Sequence, residues 1–216
     1  MRKVDWTWRC GGLCALHRCG QETFWWILWS KDIQNTHLRK RMVRLHPLHE
    51  FICAWAKMKK RPHTFFLPTI RCNDECYKEP FAQSAAAKIE ALTGVPEANS
   101  EYLQLLRYST GQFYRTHHDY IGHHVQRPSG PRILTAFLYL NDVEAGGGTN
   151  FPDLDLTVMP KKGRVLLWPS VLDSDPNKKD YRTQHQALNV DAGPKFAANA
   201  WLHLRDFKEP HENGCT

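Results

Sequence analysis

The sequence predicts a mainly β domain with a flanking helix, closed as an antiparallel barrel or a two-sheet jelly-roll. Three observations carry that prediction. Between residues 101 and 204 lie short segments rich in branched and aromatic residues, each bounded by Gly, Pro, Asn or Asp. One stretch of helical period precedes them. No internal repeat of about 20–50 residues points to a solenoid or a propeller.

The helix is EPFAQSAAAKIEALTG. Pro80 suits its first turn, and Gly94 followed by Pro96 closes it. Phe81, Ala85, Ile89 and Leu92 then fall on one stripe, which makes the helix amphipathic. The predicted strands are EYLQLLRY (101–108), RILTAFLYL (132–140), LDLTVMP (154–160), GRVLLWP (163–169), TQHQALNV (183–190) and KFAANAWLHL (195–204). One outside helix and six strands are enough to bury a core in a chain of 216 residues.

Charge divides the chain unevenly. Residues 1–70 hold 13 Lys/Arg against 4 Asp/Glu, while residues 71–216 hold 16 against 18. The overall charge of +7 therefore belongs to one end, and the basic runs there read as a solvated face, with no nucleic acid expected as partner. Six of the eight tryptophans also precede residue 56. The apolar burst FWWILW (24–29) is far shorter than the roughly 20 residues of a membrane span, and no cleavage site follows it. Residues 38–62 suit a helix broken at Pro47 and ended by Pro62. Cys10, Cys14, His17 and Cys19 could be drawn as a zinc site but lack a second pair at finger spacing, so coincidence is the better reading.

The stretch YRTHHDY (114–120) carries the chemistry. If it is extended, His117 and Asp119 share one face and His118 points to the other. His185, in the middle of a predicted strand, supplies a third ligand. Two imidazoles and one carboxylate on one side of a metal leave positions open, as in a non-haem Fe(II) oxygenase, with zinc as the rival on ligand type. Lys195 separates the two. A lysine aimed into a barrel is costly to bury without an anion, and a dicarboxylate cosubstrate would provide one. On the period of two, Ala197, Asn199 and Trp201 share its face.

The segments RYSTGQFYRTHHDY, LNDVEAGGGTNFP, PKKGRVLLW and YRTQHQALNVDAGPKFAANAWLH together resemble the prolyl 4-hydroxylase family of Fe(II)- and 2-oxoglutarate-dependent dioxygenases. The likeness covers residues 68–207 and implies a double-stranded β-helix, the jelly-roll barrel. It implies Fe(II) held by His117, Asp119 and His185. It implies 2-oxoglutarate bound through Lys195, Tyr108 and Thr149, and a substrate proline faced by Tyr114, Arg132 and Trp201. The resemblance further implies O2 as oxidant, decarboxylation of 2-oxoglutarate to succinate, hydroxylation at proline C4, L-ascorbate as reductant, a proline-containing peptide or protein as partner, and the endoplasmic reticulum as compartment. His118, His123, His124 and His203 read as structural or solvent-exposed. Residues 121–131 and 68–80 are expected to border the mouth as mobile lids, and Cys72 and Cys76 stand at a spacing that suits either a disulfide or two thiols.

Residues 1–67 do not match the segment with which the family begins. They read as an unfolded end, translated intron being the preferred origin and a lineage-specific replacement the other, and their mismatch leaves the major sheet short of its usual edge strands. Residues 208–216 read as a tail. Three functional readings follow: an active prolyl 4-hydroxylase, a 2-oxoglutarate oxygenase acting on another side chain, and a non-catalytic module, a truncated fold whose basic end binds an acidic partner or nucleic acid.

Overall fold

The computed structural model describes residues 26–28, 40–41 and 69–215. The cysteine–histidine cluster at 10–19, most of the end read as unfolded and the expected helix over 38–62 lie outside these residues, except that within that helix range residues 40–41 are a strand, paired to Trp26 and Ile27, and not helical. Within that end, β1 (Trp26–Leu28) and β2 (Lys40–Arg41) are strands. Next come β3 (Thr69–Arg71), α1 (Asp74–Lys78), α2 (Pro80–Thr93) and β4 (Gln104–Tyr108). The strands β5 (Tyr114–His117), β6 (Arg132–Tyr139), β7 (Ala145–Gly146), β8 (Thr149–Phe151) and β9 (Leu156–Val158) follow. Then come β10 (Val165–Pro169), β11 (Val171–Leu172), β12 (Asp175–Lys179), β13 (His185–Ala187) and β14 (Val190–Ala192). The chain finishes on β15 (Lys195–His203) and α3 (Lys208–Glu212).

Among the described residues the major sheet runs β2-β1-β10-β6-β15-β4-β3, and a minor sheet β5-β13-β8-β9 faces it as the other half of a double-stranded β-helix. The pairs β11-β12 and β14-β7 complete the strands. All pairings are antiparallel except that of β1 with β10. The two strands from the N-terminal segment thus stand at one margin of the major sheet and β3 at the other.

The central strands are apolar on both faces because both are covered. On β6, Ala136 and Leu138 pack toward α2, whereas Phe137 and Tyr139 point into the barrel. On β10, Val165 and Leu167 go one way and Leu166 and Trp168 the other. The helix supplies Phe81, Ala82, Ala85 and Ile89 to the outer core, with Leu92 packed against it. Gly94 ends it at φ 68°, a left-handed conformation that glycine adopts without a Cβ clash, its N–H donating to the Glu90 carbonyl at 2.8 Å.

Cys72 and Cys76 form a disulfide that closes the turn from β3 into α1. Both segments expected to be lids are built into the fold. β3 is hydrogen-bonded along β4, and in the 121–131 segment Arg205 donates to the Pro128 and Arg127 carbonyls at 2.7 and 2.9 Å while His124 stacks on His203. The expected tail is docked: Lys208 ion-pairs with Glu97 at 3.1 Å and lies over the Tyr102 ring at 3.5 Å. Among the described residues no helix is long and apolar enough to cross a membrane.

Candidate metal centre

β5 stops at His117, so the extended reading of YRTHHDY holds for its first half only. Asp119 lies in the bend just beyond, yet it still turns to the same side as His117, and His118 turns away to the Asp180 carbonyl at 2.8 Å. β13 pairs with β5 in a register that sets His185 opposite His117. The three ligand atoms offered by His117, Asp119 and His185 lie within 4.8 Å of one another.

The tautomers follow from the backbone. His117 Nδ1 faces the Arg115 carbonyl at 2.9 Å, and His185 Nδ1 faces the Thr183 carbonyl at 3.0 Å. A carbonyl can only accept, so each Nδ1 carries a proton and Nε2 is the atom left to act as a ligand. Both Nε2 atoms converge on Asp119, at 3.9 Å from its Oδ1 for His117 and 3.7 Å from its Oδ2 for His185. Burial is the main cause holding the His185 pKa below the ordinary imidazole value, only partly opposed by Asp119, which keeps the ring a neutral ligand. Asp119 and His185 are 4% and 7% exposed, whereas His117 is 34% exposed, so the centre opens on the His117 side. Among the described residues no Lys or Arg lies at ion-pair distance from this buried carboxylate, and a divalent cation fits a donor set of one carboxylate and two imidazoles.

Lys195 starts β15 directly opposite Tyr108 of β4. It is 0% exposed, and among the described residues no carboxylate lies within ion-pair distance. Its Nζ donates to the Gly147 carbonyl at 2.7 Å and sits 4.9, 5.3 and 5.6 Å from the ring centres of Tyr108, Phe137 and Tyr139. Burial pulls its pKa from 10.5 down to about 7. Thr149 is joined to this group through Tyr139, whose hydroxyl donates to Thr149 Oγ1 at 2.7 Å. Burial likewise pushes the Tyr108 hydroxyl pKa up, so it stays a protonated donor. A cation in an aromatic box with donors beside it is a site for an anion.

Tyr114 stands half exposed with its ring edge-on to His117, centroids 4.5 Å apart. Trp201 of β15 pairs with Thr135 of β6, and the Arg132 guanidinium lies 3.9 Å from the centre of its ring. Arg132 is also tied down, donating from Nε to Glu101 Oε1 at 2.5 Å. Glu101 accepts Arg71 at 2.8 Å as well and contacts His203 Nε2 at 3.0 Å. Burial alone would raise the Glu101 pKa, but the His203 hydrogen bond with the charges of Arg132 and Arg71 wins and holds it at about 2. Arg132 is thus part of a buried ion network, with its stacked face against Trp201.

Residues 103–203 match the 2OG-Fe(II) oxygenase superfamily. The chain is 35% identical over 141 residues to human prolyl 4-hydroxylase subunit alpha-1, covering 62% of this chain and 26% of that protein. It is 33% identical over 164 residues to Arabidopsis thaliana prolyl 4-hydroxylase 2, covering 64% of this chain and 54% of the relative. Over its matched segment the chain is similar to prolyl 4-hydroxylases. It spans about a quarter of the length of the animal alpha-1 relatives. Among solved structures, the viral collagen prolyl hydroxylase of Paramecium bursaria Chlorella virus-1, in its 2OG complex, is 26% identical with a TM-score of 0.56, over 63% of this chain and 79% of that one.

Within this double-stranded β-helix, sequence reasoning missed Thr135, Tyr139, Phe137 and Trp168. The first three could have been read from the alternation of RILTAFLYL, which turns Thr135, Phe137 and Tyr139 to one face. Glu101 carried no such signal. It lies ahead of its strand and gains its role only through Arg71, Arg132 and His203, drawn from distant segments.

Proposed function

We propose that this chain is a 2-oxoglutarate-dependent dioxygenase that hydroxylates peptidyl proline at C4, taking up O2 and converting 2-oxoglutarate to succinate and CO2. One observation carries the reading: a triad of candidate ligand atoms and a buried lysine, with no carboxylate at ion-pair distance from it among the described residues, face the same barrel interior. His117, Asp119 and His185 would hold Fe(II), which when bound supplies the redox chemistry. Lys195 and Tyr108 would take the distal carboxylate of 2-oxoglutarate as a charge-assisted pair, with Thr149 lining the same pocket. The exposed side of His117 faces Tyr114, so substrate would enter there, guided by Tyr114, Trp201 and Arg132. The apolar barrel wall, with Phe137, Phe151 and Trp168, keeps bulk water from the reacting carbon.

The named relatives are prolyl hydroxylases, which supports proline as the target residue. The Cys72–Cys76 disulfide supports an oxidising compartment, and the endoplasmic reticulum is the one we assign. L-Ascorbate would serve as the external reductant. The test is succinate release with Fe(II), ascorbate and a poly-proline peptide, scored together with a 16 Da mass gain on the peptide. Peptide-dependent succinate that disappears in His185→Ala supports the reading; folded, metal-loaded protein that releases none overturns it.

A further inference from the structure

We infer that Thr135 is a positioning residue for the metal centre, fixing the one ligand that the minor sheet does not hold. This rests on the function proposed above. The two histidines are steadied by their own strands: His117 and His185 are paired across β5 and β13, and each ring is tied to the carbonyl two residues before it. Asp119 has no such support. It stands beyond the end of β5, in a bend, and its carboxylate is anchored from the opposite sheet. The anchor is the Thr135 hydroxyl of β6, which donates to Asp119 Oδ2 at 2.6 Å. Among the described residues this is the one hydrogen bond made to that carboxylate.

Thr135 is itself fully buried, in register with Trp168 on one side and Trp201 on the other. A hydroxyl in that apolar wall is unfavourable unless it donates, so the pair is mutually committed. Two consequences follow. The carboxylate is held in one orientation before metal arrives, and one lone pair of Oδ2 is already taken by the Thr135 hydroxyl, so Asp119 would meet the metal pre-positioned. Outer partners of this kind typically contribute about 10–100-fold to metal affinity.

The experiment measures Co(II) and Fe(II) binding to the full chain by anaerobic equilibrium dialysis, without 2-oxoglutarate, so that turnover plays no part. Thr135→Val keeps the shape and removes the donor; Thr135→Ser keeps the donor and removes the methyl. The expected result is a Kd weakened roughly 10–100-fold in the valine variant and held within about threefold of the parent in the serine variant. Circular dichroism and melting curves check that the valine variant is folded, and a valine variant that does not fold is replaced by Thr135→Ala with the serine comparison retained. Equal metal affinity in parent and folded valine variant overturns the inference while leaving the proposed function intact. Failure of the parent itself to bind metal, with no difference from His185→Ala, overturns the proposed function instead.

Discussion

Lys195→Met separates the two demands made on this lysine, because stability and ligand binding should move in opposite directions. Methionine conserves volume, so no cavity forms. In the ligand-free protein the amine is drawn from 10.5 to about 7 by burial. At about 1.4 kcal/mol per unit, keeping the charge costs about 5 kcal/mol at pH 6. The Gly147 hydrogen bond returns about 1 kcal/mol, and the ring contacts about 2 kcal/mol more. The variant should therefore be more stable by about 2 kcal/mol, a rise in Tm of roughly 4–8 °C for a chain of this size. The sign with pH is fixed: the folded pKa is lowered, so the penalty is full below pH 7 and fades as pH rises toward 10.5. The advantage of methionine should shrink in step. Isothermal titration with 2-oxoglutarate in the presence of metal should show the reverse, an affinity about 10–150-fold weaker from the loss of a charged hydrogen bond worth about 1.5–3 kcal/mol. A variant that melts below the parent at pH 6, or binds 2-oxoglutarate as tightly, would refute the reasoning.

Glu101→Gln should destabilise the fold by about 3–5 kcal/mol at pH 7, since it leaves Arg132 and Arg71 facing a neutral amide. Because the Glu101 pKa is lowered to about 2, its contribution is present above the ordinary carboxylate range and lost as pH falls from about 4.5 to 2; acid melting curves of parent and variant should converge over that window. Gly146→Ala should cost about 2 kcal/mol or more by chemical denaturation, because φ is +74° and a Cβ would collide with the Asn189 carbonyl. Replacing both Cys72 and Cys76 by serine should lower stability by about 2 kcal/mol, the closure entropy of so short a loop, and a thiol reductant added to the parent should produce the same fall in Tm.

The parts of the fold visible in the sequence were those with local causes. α2 is bracketed by Pro80 and the left-handed Gly94, and both act through their own backbone. The stretch TQHQALNV reads as one strand but forms two, because Leu188 and Asn189 cross to the glycine segment: the Leu188 N–H reaches the Gly148 carbonyl at 2.8 Å, and the Asn189 carbonyl accepts the Gly147 N–H at 2.6 Å. β13 consequently joins the minor sheet and β14 pairs with β7. That division depends on a distant partner, so periodicity could not show it. LDLTVMP is shortened at its start by a turn over Pro152–Leu154, closed by Asp155 at φ 47°. β12, with the sequence DPNKK, has neither alternation nor branched residues and is a strand only through its pairing with β11. The metal and lysine positions stood out because His, Asp and Lys are out of place in an apolar strand pattern. Thr135 and Tyr139 are ordinary there, and their importance comes from what they touch.

β15 raises a question of register that apolar patterning cannot answer. In a strand with one wet face, a slip of one residue moves every apolar side chain into water and is strongly opposed. Ala197, Ala198, Ala200, Trp201 and Leu202 are buried on both faces, so a slip would exchange one apolar environment for another. What it would not tolerate is Lys195 turned to the α2 side, away from the Gly147 carbonyl and the rings of Tyr108, Phe137 and Tyr139 that hold the amine. At the other end the Glu101 N–H donates to the Trp201 carbonyl at 2.8 Å, and a bulge between Leu202 and His203 brings His203 to Glu101. The polar residues at the two ends therefore fix the register of the strand between them. The same register delivers Lys195 opposite Tyr108 and Trp201 opposite Thr135. In this barrel the groups assigned to the chemistry also tell an otherwise ambiguous strand which way to face.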